Sequence, residues 1–381
     1  MACRKLFVVL AAMVFAIAVP AKEFLVYFGT YTNALSKGIY VSRLDAKTGK
    51  FSEPVLAAAV GNPNYVNLSP DGKYLYSSSS VRASGKDGDG LVSAFSVDRV
   101  TGRLTLLNQM SAGSYDPCYV SVADEGKVLL VASYDNGSVK CLPLESDGSI
   151  GHGGSFTLTT GHGPNANRQA GPHAHFITAD PSGHFALECD LGTDRVMIYK
   201  INPADATLTA NATPFTTVPP GSGARHLAFS RDGKFAYVVN EMACTVTTFA
   251  WNEKDGVLTP VETVPALPPG VAVKDAFTGA EILVHPTGKH VYATLRGHDS
   301  VSVFSADKKT GHLTFVQNVP AGGLVPRGLG IDPTGHWLIT GNQKSDNAAI
   351  FAIDTKTGKL TATGQSLVMG SPVDVKFVEA K

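Results

Sequence analysis

What this chain lacks narrows the field first. Its 381 residues carry 32 acidic and 32 basic side chains, so no net charge draws the molecule as a whole to nucleic acid or to an anionic membrane surface. Function must therefore reside in a local site. Cysteine is sparse: beyond Cys3 near the N-terminus, Cys118, Cys141, Cys189 and Cys244 show no metal-motif spacing, and spacing alone leaves their disulfide state open. Buried strands also carry free cysteine as a small apolar residue. No Gly-x-Ser-x-Gly elbow, phosphate-binding loop or dinucleotide fingerprint stands in a suitable context. No linker-like stretch divides the chain either, which points to one domain.

What is present is a cassette that returns roughly every fifty residues, a period that marks a repeat architecture. Its anchor is a polar-Gly turn leading into an apolar strand: SPDGKYLY (69–76), DEGKVLLV (124–131), DPSGHFAL (180–187), SRDGKFAYV (230–238), HPTGKHVYA (285–293) and DPTGHWLI (332–339). A third strand follows in each unit, as in DRVMIY (194–199) and DSVSVF (299–304), and a turn such as TGRL (101–104) opens a fourth. Short strands punctuated by Gly, Asp and Asn turns are the pattern of propeller blades rather than helical solenoids.

Six turn glycines give six blades, and a seventh begins with FLVYFGTY (24–31) but lacks its first strand. SPVDVKFV (371–378), at the other terminus, has the form of the missing strand. The expected fold is all-β: a seven-bladed β-propeller of four-stranded antiparallel blades, closed by the C-terminal strand pairing into the N-terminal blade. Such closure removes free sheet edges.

Residues 1–21 stand apart from this pattern. Arg4 and Lys5 precede an apolar run (6–18), and Val19-Pro20-Ala21 places small residues at the −3 and −1 positions of a cleavage site. The pattern predicts a secretory leader, too short to span a bilayer, whose removal leaves 22–381 as a periplasmic or secreted propeller without stable membrane insertion.

Aligning the blades on their glycines places candidate functional residues. The second residue of each innermost strand is Asn64, Cys118, His175, Arg225, Ala280 or Arg327, with Val373 in the closing strand. The second strand ends at the same mouth of the ring, at Ser80, Tyr134, Leu191, Glu241, Arg296 and Gln343, just after Asp190 and Asn240 in their blades. His175, Arg225, Glu241, Arg296 and Arg327 are thus expected around one funnel, an anion-binding site with a proton-transfer pair. His173, Asp190, Asn240, Arg327 and Gln343 are its expected substrate-binding margin. His152, His162, His173 and His175 lack the spacing of a zinc motif, so neither a metal nor a cofactor is expected.

QAGPHAHF (169–176), GSGARHLAF (221–229), YVVNE (237–241), AEILVHPTG (280–288), RGHDSVSVF (296–304) and VPRGLGIDPTG (325–335) resemble the seven-bladed propeller lactonases, a family that includes bacterial 6-phosphogluconolactonases and the fungal carboxy-muconate lactonising enzyme. The resemblance implies a metal-independent site of one His, two Arg and one Glu, which by motif are His175, Arg225, Arg296 and Glu241. It implies a small-molecule lactone substrate and hydrolysis of a sugar-derived lactone, with Glu241 or a His175 oriented by it as base. A leader on this chain favours an unphosphorylated aldonolactone. The alternatives are a lactone-forming cycloisomerase and a non-catalytic ligand-binding propeller.

Overall fold

The computed structural model describes residues 22–80 and 88–381; the expected leader lies outside them. Seven antiparallel sheets follow one another along the chain. Blade 1 combines Pro372–Glu379 with Glu23–Thr30 and Gly38–Asp45, and its outermost strand is split into Lys50–Phe51 and Val55–Ala59. Blades 2 to 7 start at Pro63, Pro117, Ala174, Ala224, Thr278 and Pro326, and each runs outward through four strands in sequence order. Every innermost strand packs on those of both neighbours, and the series closes where Pro326–Ile331 meets Pro372–Glu379. The four described cysteines are free and buried.

The recurring cassette has a local physical cause. At the end of the innermost strand a polar side chain accepts the amide five residues on: Ser69 from Tyr74 at 3.0 Å, Asp180 from Phe185 at 3.0 Å, Asp332 from Trp337 at 2.7 Å. The turn between them needs left-handed backbone, which glycine adopts without steric cost, as at Gly72 (φ 67°) and Gly335 (φ 77°). Tyrosines tie three blades to the next: the Tyr27, Tyr76 and Tyr292 hydroxyls donate to the carbonyls of Gly102, Gly148 and Gly358 at 2.9–3.0 Å. At the closure, Trp337 of blade 7 covers Gly49 of blade 1 so tightly that a Cβ there would lie 2.3 Å from the indole ring.

One buried carboxyl makes stability depend on pH. Glu188, on the second strand of blade 4, is fully buried and accepts from Tyr199 Oη at 2.7 Å and Thr159 Oγ1 at 3.2 Å. Burial, and then the charge of Asp190, push its pKa up to about 8. The folded state therefore favours the protonated form. Its contribution is complete below the unfolded value of 4.5 and is lost as pH rises through about 8. Glu188→Gln keeps the shape without the charge. Its stability, followed by thermal melts, is expected to match wild type at pH 5 and to exceed it at pH 9 by a few kcal/mol, since each tenfold change in proton affinity is worth about 1.4 kcal/mol. Parallel melts of the two proteins across that range would count against a buried ionisation here.

Candidate active site

The mouth of the ring is built by one repeated irregularity. In each innermost strand the pairing register skips the second residue: Ala174 and Phe176 face Asp190 and Cys189, leaving His175 unpaired, and Arg225, Arg327, Asn64, Cys118 and Val373 are skipped in the same way. In blade 6 both Ala280 and Glu281 fall within the shift. A bulge of this kind frees a side chain from the strict alternation of a strand. It also changes the parity behind it. Tyr65, Tyr119, Phe176 and His226, each one residue further on, meet across the ring, with Tyr119 centred 3.9 Å from Tyr65, 4.4 Å from Phe176 and 5.1 Å from His226. Two layers of side chains therefore stack along the axis.

The outer layer encloses a cavity of about 230 Å³ lined by Tyr31, Asp116, Cys118, Tyr134, Arg168, His175, Glu241, Arg296 and Arg327. Glu241 organises its cationic wall. One carboxylate oxygen lies 2.6 Å from Arg168, the other 2.9 Å from Arg225 Nε and 2.8 Å from Arg296. Burial alone would raise the Glu241 pKa, but Arg296 and then Arg225 hold it well below the usual carboxylate range. It is held ionised and is correspondingly a weak base. Arg327 stands apart from this cluster, its guanidinium 5.7 Å from the centre of the Tyr31 ring. Three guanidiniums thus grip Glu241 and a fourth, Arg327, lines the same cavity, giving positive charge to meet an anionic or oxyanionic guest.

His175 is buried at the floor, 4% exposed, and its Nδ1 lies 3.2 Å from His226 Nε2. Burial, followed by the Arg225 charge, holds its pKa well below that of free imidazole, so at neutral pH the ring is uncharged. The expected orientation of His175 by Glu241 is replaced by this contact with His226. Burial likewise pushes up the Cys118 thiol beside it, which disfavours a thiolate nucleophile.

Of the expected site residues, His175, Glu241, Arg296 and Arg327 line the cavity. Arg225 does not: it is 1% exposed behind Glu241 and donates to the Ala280 carbonyl, so it supports the wall. His173 stacks on Tyr134 at 4.3 Å and its Nδ1 contacts the Tyr134 carbonyl at 2.7 Å. Asp190 is consumed by the amides of His173 and Thr193, and Asn240 Nδ2 by the hydroxyls of Thr245 and Thr247. Gln343 is absent from the lining. No group of three or more His, Cys, Asp or Glu that could hold a metal is found among the described residues. Arg168 was not legible from the blades because it comes from the loop before blade 4, outside the repeat.

A larger cleft of about 450 Å³ lies between blades 1 and 2, lined by Thr32, Val60, Asn62, Leu91, Leu106 and neighbours. Among the described residues its lining has no titratable side chain, whereas the smaller funnel combines an uncharged imidazole with guanidinium donors. The funnel is therefore the candidate site.

Known proteins place this fold. The family model for Lactonase, 7-bladed beta-propeller matches residues 25–377. The chain is 36% identical to the 6-phosphogluconolactonase of Bacillus subtilis over 82% of its own length and 86% of that protein's. It superposes with a TM-score of 0.88 on a periplasmic gluconolactonase of Pseudomonas aeruginosa at 32% identity, covering 94% of this chain and 100% of the other. A putative 6-phosphogluconolactonase of Bacteroides fragilis gives 0.87 at 35% identity, covering 95% and 100%. With its seven closed blades and the family match running through almost all of them, the chain belongs to the seven-bladed β-propeller lactonase family.

Proposed function

We propose that the protein hydrolyses a sugar-derived lactone in the funnel, with His175 as general base. The observation that carries this reading is an uncharged imidazole facing a cavity whose opposite wall holds guanidiniums fixed by Glu241. A lactone carbonyl placed there has its oxygen near Arg296, which stabilises the tetrahedral oxyanion as water attacks. The water proton passes to His175 Nε2, the ring C–O bond breaks, and the proton is returned to the leaving alkoxide. The hydroxy-acid product then releases one proton to solvent at neutral pH. A pH-stat therefore reads the reaction directly, with a panel of free and phosphorylated aldonolactones and spontaneous opening subtracted. No acceleration on any member would refute the reading.

In this proposal the working compartment is the periplasm or the exterior, reached through the leader at 1–21, and the natural substrate is an unphosphorylated aldonolactone. Support comes from the charged, apolar and small-residue pattern of the leader and from the periplasmic gluconolactonase among the similar structures. Mass spectrometry of the exported chain should find its N-terminus at Lys22.

Arg327 tests the phosphate question. Its guanidinium stands against the Tyr31 ring, apart from the three that grip Glu241, where it can meet a substituent distant from the reacting carbonyl. Arg327→Ala is expected to raise KM for phosphorylated lactones by ~10-fold or more, the scale of one charge-assisted hydrogen bond. Free aldonolactones should be nearly unaffected. Equal losses on both substrates would assign Arg327 to the reaction itself.

A further inference from the structure

Below the funnel floor, the layer created by the bulged strands holds a chain of hydrogen-bonding groups. His226 is buried, with Nδ1 2.8 Å from Glu281 Oε1 and Nε2 3.2 Å from His175 Nδ1. Glu281 is also buried, and the same Oε1 accepts the Ile282 amide at 3.0 Å. None of these contacts depends on a substrate.

Donor and acceptor roles propagate along such a chain. A carboxylate at Glu281 accepts from His226 Nδ1–H. A neutral His226 then presents an unprotonated Nε2, which can only accept. The proton between the two rings must therefore sit on His175 Nδ1, and the remaining nitrogen, Nε2, has a free lone pair. We infer that Glu281 and His226 are positioning residues that hold His175 in the tautomer with Nε2 unprotonated, ready to take a proton in the funnel. This inference rests on the reading of His175 as the base.

The reverse order of protons, starting from a protonated Glu281, would turn His175 into a donor. One feature favours the first order: Oε1 already accepts the Ile282 amide, so a proton on Glu281, whose pKa burial raises against the opposing charges of Lys376 and Arg225, would sit on Oε2 and leave Oε1 an acceptor for His226. The other titratable groups facing the two imidazoles are Cys118, Tyr65, Tyr119, Tyr134, Arg327 and Glu241. They meet the two rings through T-shaped ring contacts, a long sulfur contact or charge at a distance, and Glu281 is the carboxylate that holds His226 Nδ1. Phe176 and Tyr119 pack around His226, so a phenylalanine can occupy its place without opening a hole.

The test combines spectroscopy with kinetics. Histidine-selective ¹⁵N NMR of the wild type at pH 7, assigned through the signals lost in His175→Asn and His226→Phe, should show His175 protonated at Nδ1 and not at Nε2. His226→Phe is expected to lower kcat by roughly 10²-fold with KM little changed, since substrate contacts lie in the layer above. His226→Asn, whose carbonyl can accept from His175, should recover part of that loss. Glu281→Gln should likewise retain more activity than Glu281→Met. A wild-type His175 protonated at Nε2, or a folded His226→Phe enzyme with full kcat, overturns the inference. If His226→Phe fails to fold, the wild-type spectrum, assigned through His175→Asn, decides. Full activity in His175→Asn would instead remove the base reading, leaving the tautomer measurable on its own.

Discussion

The His175→Asn variant is expected to fold normally and to lose roughly 10³-fold in kcat on a neutral aldonolactone, within the range that a positioned general base supplies. Asparagine can still donate to His226, so the buried contact at 3.2 Å has a substitute and the floor need not rearrange. What disappears is the nitrogen facing the cavity. Glu241 cannot replace it: three guanidiniums at 2.6–2.9 Å keep that carboxylate ionised and therefore weakly basic. The pH profile carries the same information with an independent sign. A base works only when unprotonated, and His175 is held below the ordinary imidazole value of 6.5 by burial and by Arg225. Wild-type kcat/KM should consequently stay level as pH falls from 7 past 6.5, and decline only below it. Initial rates on purified mature protein between pH 4 and 8 measure both effects. A His175→Asn enzyme within tenfold of wild type would place the proton transfer elsewhere.

The fold was legible in the sequence because its rule is local. A side-chain acceptor, a left-handed glycine and an apolar strand recur within ten residues, and each does its work without reference to the rest of the chain. Closure was legible too, since SPVDVKFV has the form of an innermost strand with no partners of its own in sequence. The site was legible only to its first layer. Counting from the glycines finds His175, Glu241, Arg296 and Arg327, but the bulge beside the counted position changes strand parity, so simple alternation turns His226 and Glu281 away from the axis. Asp190 lies at the right height yet spends its carboxylate on turn amides, and Asn240 spends its Nδ2 on threonine hydroxyls, a choice that linear spacing does not reveal. Arg225 shows the converse difficulty: its position was right and its charge essential to the wall, but its direction is toward Glu241 and Ala280 rather than the cavity.

Deleting Ser371–Lys381 is expected to abolish the soluble monomer altogether. The lost segment contains Pro372–Glu379, which pairs with Glu23–Thr30 and also packs against the innermost strands of blades 2 and 7. Glycine makes one of those contacts close: a Cβ at Gly328 would meet the Val373 backbone at 2.8 Å, so the two strands approach as bare main chain. On the other side, Asp374 is fully buried and accepts the Val66 amide of blade 2 at 2.9 Å. Removal exposes the apolar surface under Val373, Val375 and Val378, each worth roughly 1.5–3 kcal/mol when buried. It also leaves the amides and carbonyls of Glu23–Thr30 unpaired along one edge. The sum is comparable to the about 5–15 kcal/mol by which a folded domain usually exceeds its unfolded chain. An exposed edge of EFLVYFGT, buried along seven of its eight residues in the closed ring, is a template for pairing with other chains. Size-exclusion chromatography and far-UV circular dichroism of the truncated protein should therefore find aggregate or nothing. A monodisperse truncated chain with an unchanged melting transition would mean that six blades hold the ring without the strand that closes it.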